Sequence, residues 1–188
     1  DAERRNLQRY GFGIKGFTLS MIETALQVTE NRVPGSVIAE LVAAGQEMLS
    51  HPIELLPGAE MTVQVLTEEF TLLLITKGDL IDQERKLAQS GLGDLFDGVE
   101  IVSDKTEEVY RGIFTGRGIE ARKAMMVGNS LKSDVNPVIS AGGWGVHVPF
   151  GEPWALDAAD PPRDHPRFRE IAELGHLPAT VVSICRNI

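Results

Sequence analysis

Cysteine is almost missing from this 188-residue chain, and its single thiol, Cys185, excludes an internal disulfide. One thiol without a bridge fits a reducing compartment, so a cytoplasmic location is expected. The apolar neighbours Val181, Val182 and Ile184 suggest a terminal helix resting on a core. In that setting Cys185 is expected to behave as a small buried hydrophobe. Basic residues are also short: 18 Lys and Arg face 27 Asp and Glu, a net charge of -9. A nucleic-acid groove needs concentrated positive charge, so that partner is excluded. A small anionic ligand is not, because it responds to a local site rather than to net charge. No apolar run is long enough to span a bilayer, and no membrane partner is expected. The four histidines, His51, His147, His165 and His176, lack metal-ligand spacing and read as structural or surface residues. The opening residues, Asp1-Ala-Glu-Arg-Arg, read as the interior of a longer protein.

What is present is a hydrophobic share of 43%, enough for a real core. Residues 1–56 read as helical. Ser20 to Glu23 has capping-box spacing, and Ser36 can cap a further helix carrying Ile38, Leu41, Met48 and Leu49. His51-Pro52 closes it, since the residue before proline avoids helical geometry. From residue 57 short apolar runs alternate with amphipathic segments. The runs are Leu72–Ile75, Val99–Val102, Ala124–Val127 and Gly145–Val148. Helices are expected near 59–67, 79–90, 106–117 and 133–141, with a last one over 178–186. Such alternation implies crossover connections and a mainly parallel, Rossmann-like α/β sheet.

Gly11 to Gly16 matches the glycine fingerprint of dinucleotide sites, but polar, helix-like residues precede it instead of a buried strand. A flexible turn between helices accounts for it better. Lys15 could reach an anionic substrate from that turn, although a solvated lysine is the default. The apolar run ending in Thr76-Lys77-Gly78-Asp79 would offer a hydroxyl and backbone N–H groups to an oxyanion at a strand's carboxyl end. Asp79 is available to cap the next helix and Gly91 to end it. A second run leads into Ser103-Asp104-Lys105-Thr106, where Lys105 can neutralise a phosphate and Thr106 can cap. The third leads into Gly128-Asn129-Ser130-Leu131-Lys132-Ser133-Asp134. There Gly128 allows close approach, Asn129 and Ser130 supply neutral oxygens, and Asp134 supplies the hard carboxylate that Mg²⁺ prefers. Ser133 is the expected cap of that helix, with Asp134 offsetting its dipole.

Thr76, Lys105 and Asp134, in that order at three strand ends, resemble the second, third and fourth motifs of the haloacid dehalogenase-like (HAD) superfamily. The stretch from Val127 to Pro137 with the later Ala141-Gly142-Gly143 is the most specific part of the match. The likeness covers about residues 57–150, and residues 1–56 look like the helical cap that such proteins insert. It implies a partial cap domain over 1–56 and an α/β core over 57–188. It also implies a Mg²⁺-dependent phosphatase acting on a small phosphorylated metabolite, as monomer or homodimer. Phosphate would be held by Thr76, Lys77, Gly78, Lys105 and Asn129, with Lys15 as a further candidate. Metal would be held by Asp134 and more weakly by Asn129, and the catalytic residues would be Thr76 and Lys105.

The family's first motif, Asp-x-Asp after the first strand, supplies a nucleophile that forms an aspartyl-phosphate and a second carboxylate for acid–base work. No Asp-x-Asp occurs in this sequence. The core is therefore expected to lack its first, central strand, and the chain by itself is expected to be inactive. A 2-haloacid dehalogenase, a phosphomutase and a non-catalytic HAD-fold binding or regulatory protein are the alternatives. Lys105-Thr106 stands where Lys-Pro is commoner, a neutral exchange because either residue can open a helix.

Overall fold

The computed structural model describes residues 2–152 and 157–186. By its contacts the chain divides into two compact units. One comprises residues 1–54, 73–94 and 98–103; the other comprises 55–72, 95–97 and 104–188.

The first unit opens with three helices, α1 (Ala2–Tyr10), α2 (Ile14–Val28) and α3 (Gly35–Ser50). The Gly11–Gly16 stretch is the turn from α1 into α2, with Gly11 at φ 70° and Gly13 at φ 132°. Those backbone angles account for Gly11 and Gly13, while at Gly16 a Cβ would stand 3.1 Å from the Gly11 carbonyl oxygen. Ser20 lies inside α2 rather than at its start, because the turn at Gly13 lets the helix begin six residues earlier. Its hydroxyl donates to the Gly16 carbonyl at 2.8 Å and accepts from Asn6 Nδ2 at 3.1 Å. Asn6 is buried and also donates to Glu23 Oε2 at 2.7 Å, so a polar link ties α1 to α2. Ser36 likewise sits one turn position inside α3. Pro34 is the entry residue, and its carbonyl accepts from Val37 and Ile38 at 3.0 and 3.3 Å.

The same unit holds β1 (Leu73–Lys77), α5 (Leu80–Ser90) and β2 (Gly98–Val102). The strands pair in parallel, Leu73 opposite Gly98 and Lys77 opposite Val102. Asp79 caps α5 by accepting from Asp82 N–H at 3.1 Å, and left-handed Gly91 ends it, as the sequence predicts. Asp82 is buried, which by itself would raise its carboxyl pKa. Hydrogen bonds from Lys86 and Arg85 win and hold it below the usual range.

The second unit contains α4 (Ala59–Thr67), α6 (Glu107–Gly116), β3 (Met125–Gly128), α7 (Asn136–Ser140), β4 (Trp144–His147), β5 (Phe168–Glu170) and α8 (Leu177–Cys185). Its sheet runs β3–β4–β5, all parallel. Every pairing in the described residues is parallel, which is the α/β class expected. β1 pairs with β2 and β3 with β4, and the described strands form two sheets. β5 is not foreseen from sequence: Phe-Arg-Glu is three residues with no apolar run. Val146, Val148, Ile171, Leu177 and Val181 form the core, joined by Leu66, Phe70, Met125, Val127 and Leu174. Each such aliphatic side chain contributes about 1.5–3 kcal/mol when fully buried.

Cys185 departs from expectation. It belongs to the terminal helix, but Val181 and Ile184 face the core while Cys185 is exposed. At four residues beyond Val181 the thiol could share its face; the helix instead ends at Cys185, and in its last turn Ile184 is the residue that is buried. A disulfide-exchange reagent should therefore label one thiol per chain at the same rate with or without mild denaturant. Labelling only on unfolding would contradict this placement.

Candidate functional site

Lys15, Thr76, Lys77 and Gly78 belong to the first unit; Lys105, Asn129 and Asp134 belong to the second. Each group is described by itself.

In the first unit, Thr76 is the last residue but one of β1 and its hydroxyl donates to Gln83 Oε1 at 2.7 Å. Gln83 lies on α5, seven residues away, and no spacing rule singles it out. Gly78 has φ 145°, and a Cβ there would come within 2.9 Å of Gln83 Nε2. Glycine is thus favoured there by its backbone angle, while the Gln83 side chain could shift to make room. Its N–H donates to the Val102 carbonyl at 3.3 Å, so the sheet takes the donor that sequence reasoning offers to an anion. Lys77 Nζ lies 4.0 Å from the centroid of the Phe12 ring, a cation–π distance. Lys15 Nζ is paired with Asp79 Oδ1 at 2.8 Å, and that hydrogen bond, then the one from Asp82 N–H, holds the Asp79 carboxyl low. Both side chains remain partly exposed, so the pair contributes little to stability.

In the second unit, Lys105 precedes α6, which Thr106 caps by accepting from Val109 N–H at 3.4 Å. Lys105 Nζ meets Asp134 Oδ1 at 2.7 Å, with side-chain exposures of 11% and 6%. Two residues 29 apart in sequence are thus brought together in a desolvated ion pair. The Asp134 carboxylate is fixed on its other oxygen too: Ser130 N–H donates to Oδ2 at 3.1 Å. Here the sequence expectation is corrected. Ser130, not Ser133, caps the turn, its Oγ accepting from Ser133 N–H at 2.9 Å. The turn over Leu131–Val135 is wide, with the Ser130 carbonyl accepting from both Asp134 and Val135 N–H at 2.9 and 3.2 Å. That shift carries Ser133 into the turn, where its hydroxyl donates to Asp157 Oδ1 at 2.8 Å. Wide turns of this kind occur often at functional sites.

Tyr110 is fully buried below the pair, its hydroxyl donating to the Ser133 carbonyl at 3.2 Å. Burial, and then the nearby Asp134 charge, push its phenol far above the ordinary value, so it stays a neutral donor. Behind Asn129 lies buried His147, with Nδ1 3.0 Å from Glu170 Oε2 and Nε2 3.2 Å from the Asn129 carbonyl. A cavity of about 330 Å³ opens beside them, lined in part by Asn129, Ser130, Leu131, His147 and Asp157. Glu170 is held below the usual carboxyl range, by the His147 hydrogen bond first and then by Arg163, against burial. A carboxyl with a lowered folded value contributes stability that is present above its unfolded value and lost as pH falls through the folded one. Acid unfolding below the ordinary glutamate value of 4.5 should therefore be less steep in Glu170→Gln. Identical acid transitions would show that Glu170 makes no such contribution.

Among the described residues no three acidic, His or Cys side chains gather as a ready metal cluster. Mg²⁺ is commonly held by one or two carboxylates with waters and substrate phosphate, so a lone buried Asp134 fits as one ligand of such a site. Each of its oxygens already accepts one hydrogen bond and keeps further lone-pair capacity.

Parallel strands with crossover helices, and polar residues gathered at the strands' carboxyl ends, define an α/β protein of the Rossmann-like kind. No protein-family profile matches the chain, and no curated protein sequence does. Solved structures do match. A haloacid dehalogenase-like family hydrolase from Xanthomonas campestris is 40% identical, with 99% of this chain and 75% of that one covered and a TM-score of 0.90. The L-2-haloacid dehalogenase of Xanthobacter autotrophicus with chloropropionic acid covalently bound is 18% identical over 96% of this chain and 80% of that one, TM-score 0.67. A HAD-hydrolase from Bacillus subtilis bound to magnesium is 18% identical over 96% and 89%, TM-score 0.58. This chain belongs to the haloacid dehalogenase-like hydrolase family. No helix among the described residues is long and apolar enough to cross a membrane.

Proposed function

We propose that this chain is the greater part of a Mg²⁺-dependent phosphatase acting on a small phosphomonoester. The observation that carries the reading is the buried Lys105–Asp134 pair at 2.7 Å beside the Gly128–Ser130 turn. A buried carboxylate that meets an ammonium through one oxygen, with lone pairs to spare, is suited to a hard cation and to the phosphoryl group it would serve. Asp134, with Asn129 as a weaker partner, would hold the ion, which when bound supplies charge relief at the phosphoryl oxygens. Lys105 would neutralise the phosphoryl group; Thr76, in the first unit, would be a separate oxyanion-binding candidate. Residues 1–56 would act as the cap. The attacking carboxylate has no Asp-x-Asp counterpart in these residues and would come from a segment outside them.

A metal-free 2-haloacid dehalogenase is the second reading, favoured by the likeness to the chloropropionate-bound enzyme. With the nucleophile-bearing segment supplied, phosphomonoesters and 2-chloropropionate should be assayed with Mg²⁺ and with chelator. Phosphate release that requires Mg²⁺ supports the first reading; chloride release indifferent to chelator sinks it. Phosphatase turnover by these 188 residues alone would defeat the assignment of the nucleophile to another segment.

A further inference from the structure

His147 closes β4, opposite Gly128 at the end of β3 and Glu170 at the end of β5. Its ring is buried, at 8% exposure, between two acceptors: the Glu170 carboxylate at 3.0 Å and the Asn129 carbonyl at 3.2 Å. A carbonyl oxygen can only accept, so Nε2 carries a proton and donates to it. Glu170 is tethered in turn by Arg163 Nη1, which donates to Oε1 at 3.2 Å.

The oxygen that His147 grips belongs to the same peptide unit as the Ser130 N–H. That unit is trans, so its C=O and N–H point in opposite directions across one rigid plane. On the far side the Ser130 N–H donates to Asp134 Oδ2 at 3.1 Å. A single peptide plane is therefore clamped between an imidazole and a carboxylate. Turning that plane would break both hydrogen bonds together.

We infer that His147 is a positioning residue for Asp134. It fixes the Asn129–Ser130 peptide, whose N–H aims the Asp134 carboxylate, while Glu170 and Arg163 fix the ring. Lys105 holds the other carboxylate oxygen, so the two contacts together leave Asp134 one orientation. The consequence for metal binding rests on the reading of Asp134 given under Proposed function; the peptide clamp does not.

The test uses the ¹⁵N-labelled chain, with Mn²⁺ as the probe. The Ser130 amide shift and exchange rate report the clamp, and paramagnetic broadening around Asp134 reports metal affinity. His147→Leu should perturb the Ser130 amide and weaken Mn²⁺ about 10-fold, the scale on which groups behind a metal ligand act. His147→Gln, which keeps an N–H donor on a similar reach, should recover affinity to within about three-fold of wild type. If His147→Leu does not fold, Glu170→Gln carries the test, with the same two readings moving in the same direction. A merely structural histidine would shift the unfolding midpoint and leave the Ser130 amide and Mn²⁺ affinity unchanged in folded variants, which overturns the inference. Failure of the wild-type chain to bind Mn²⁺ near Asp134 would remove the metal reading instead. An unmoved Ser130 amide in a folded variant would then still overturn the clamp.

Discussion

Replacing Asp134 by Ala should lower the unfolding free energy by about 3 kcal/mol, because it strands a mostly buried ammonium without its partner. Lys105 is only 11% exposed and sits 2.7 Å from the carboxylate, so little water is at hand to take the carboxylate's place. Removing both charges is a different matter. Ion pairs taken out of water lose in desolvation much of what they gain in attraction, and apolar replacements of similar volume are often neutral. The double variant Lys105→Met, Asp134→Leu should thus be more stable than Asp134→Ala. Urea denaturation of the single and double variants measures this directly. A loss below about 1 kcal/mol in Asp134→Ala would place the pair among ordinary surface contacts. In the protein supplied with its nucleophile, the same single substitution should abolish the response to Mg²⁺.

Gly128→Ala should be nearly as damaging for a different reason. A Cβ at position 128 would stand 2.5 Å from Asp134 Cγ and 2.7 Å from Asp134 Cβ. No rotamer relieves an overlap with the first carbons of a side chain, so either the strand end or the carboxylate must move. Overpacking of this sort costs about 1–3 kcal/mol. The carboxylate cannot move without leaving Ser130 N–H or Lys105, so stability and Mn²⁺ affinity should fall together. A Gly128→Ala protein that matched wild type in both would show that strand and turn do not approach this closely. Backbone strain plays no part, because Gly128 is not among the glycines with positive φ.

The two results bear on one small region that sequence reasoning located but could not assemble. Gly128, Asn129, Ser130 and Asp134 are close in the chain, and a buried strand running into small polar residues marks the place. The sequence points to Ser133 as the cap because an ordinary helix start at that position is locally plausible. Only the wide turn, with one carbonyl accepting two N–H groups, moves the cap back to Ser130. Cys185 shows the same limit at the other end. That a helix forms there is legible from Val181, Val182 and Ile184; which side of its last turn meets the core is not.

By itself the sequence determined the alternation of strands and helices, their parallel class, and the placing of Thr76, Lys105 and Asp134 at strand ends. Apolar runs, caps and turn residues act over a few neighbours, so their record is local and readable. Only the tertiary structure decided that Lys105 meets Asp134, that Thr76 turns its hydroxyl to Gln83, and that Lys15 is held by Asp79. It alone also set His147 and Asp134 on opposite sides of one peptide plane. Most of those partners lie far apart in the chain, and even Thr76 and Gln83 meet only across the turn from strand to helix. Side-chain direction and strand register bring them together, and no spacing along the chain encodes either.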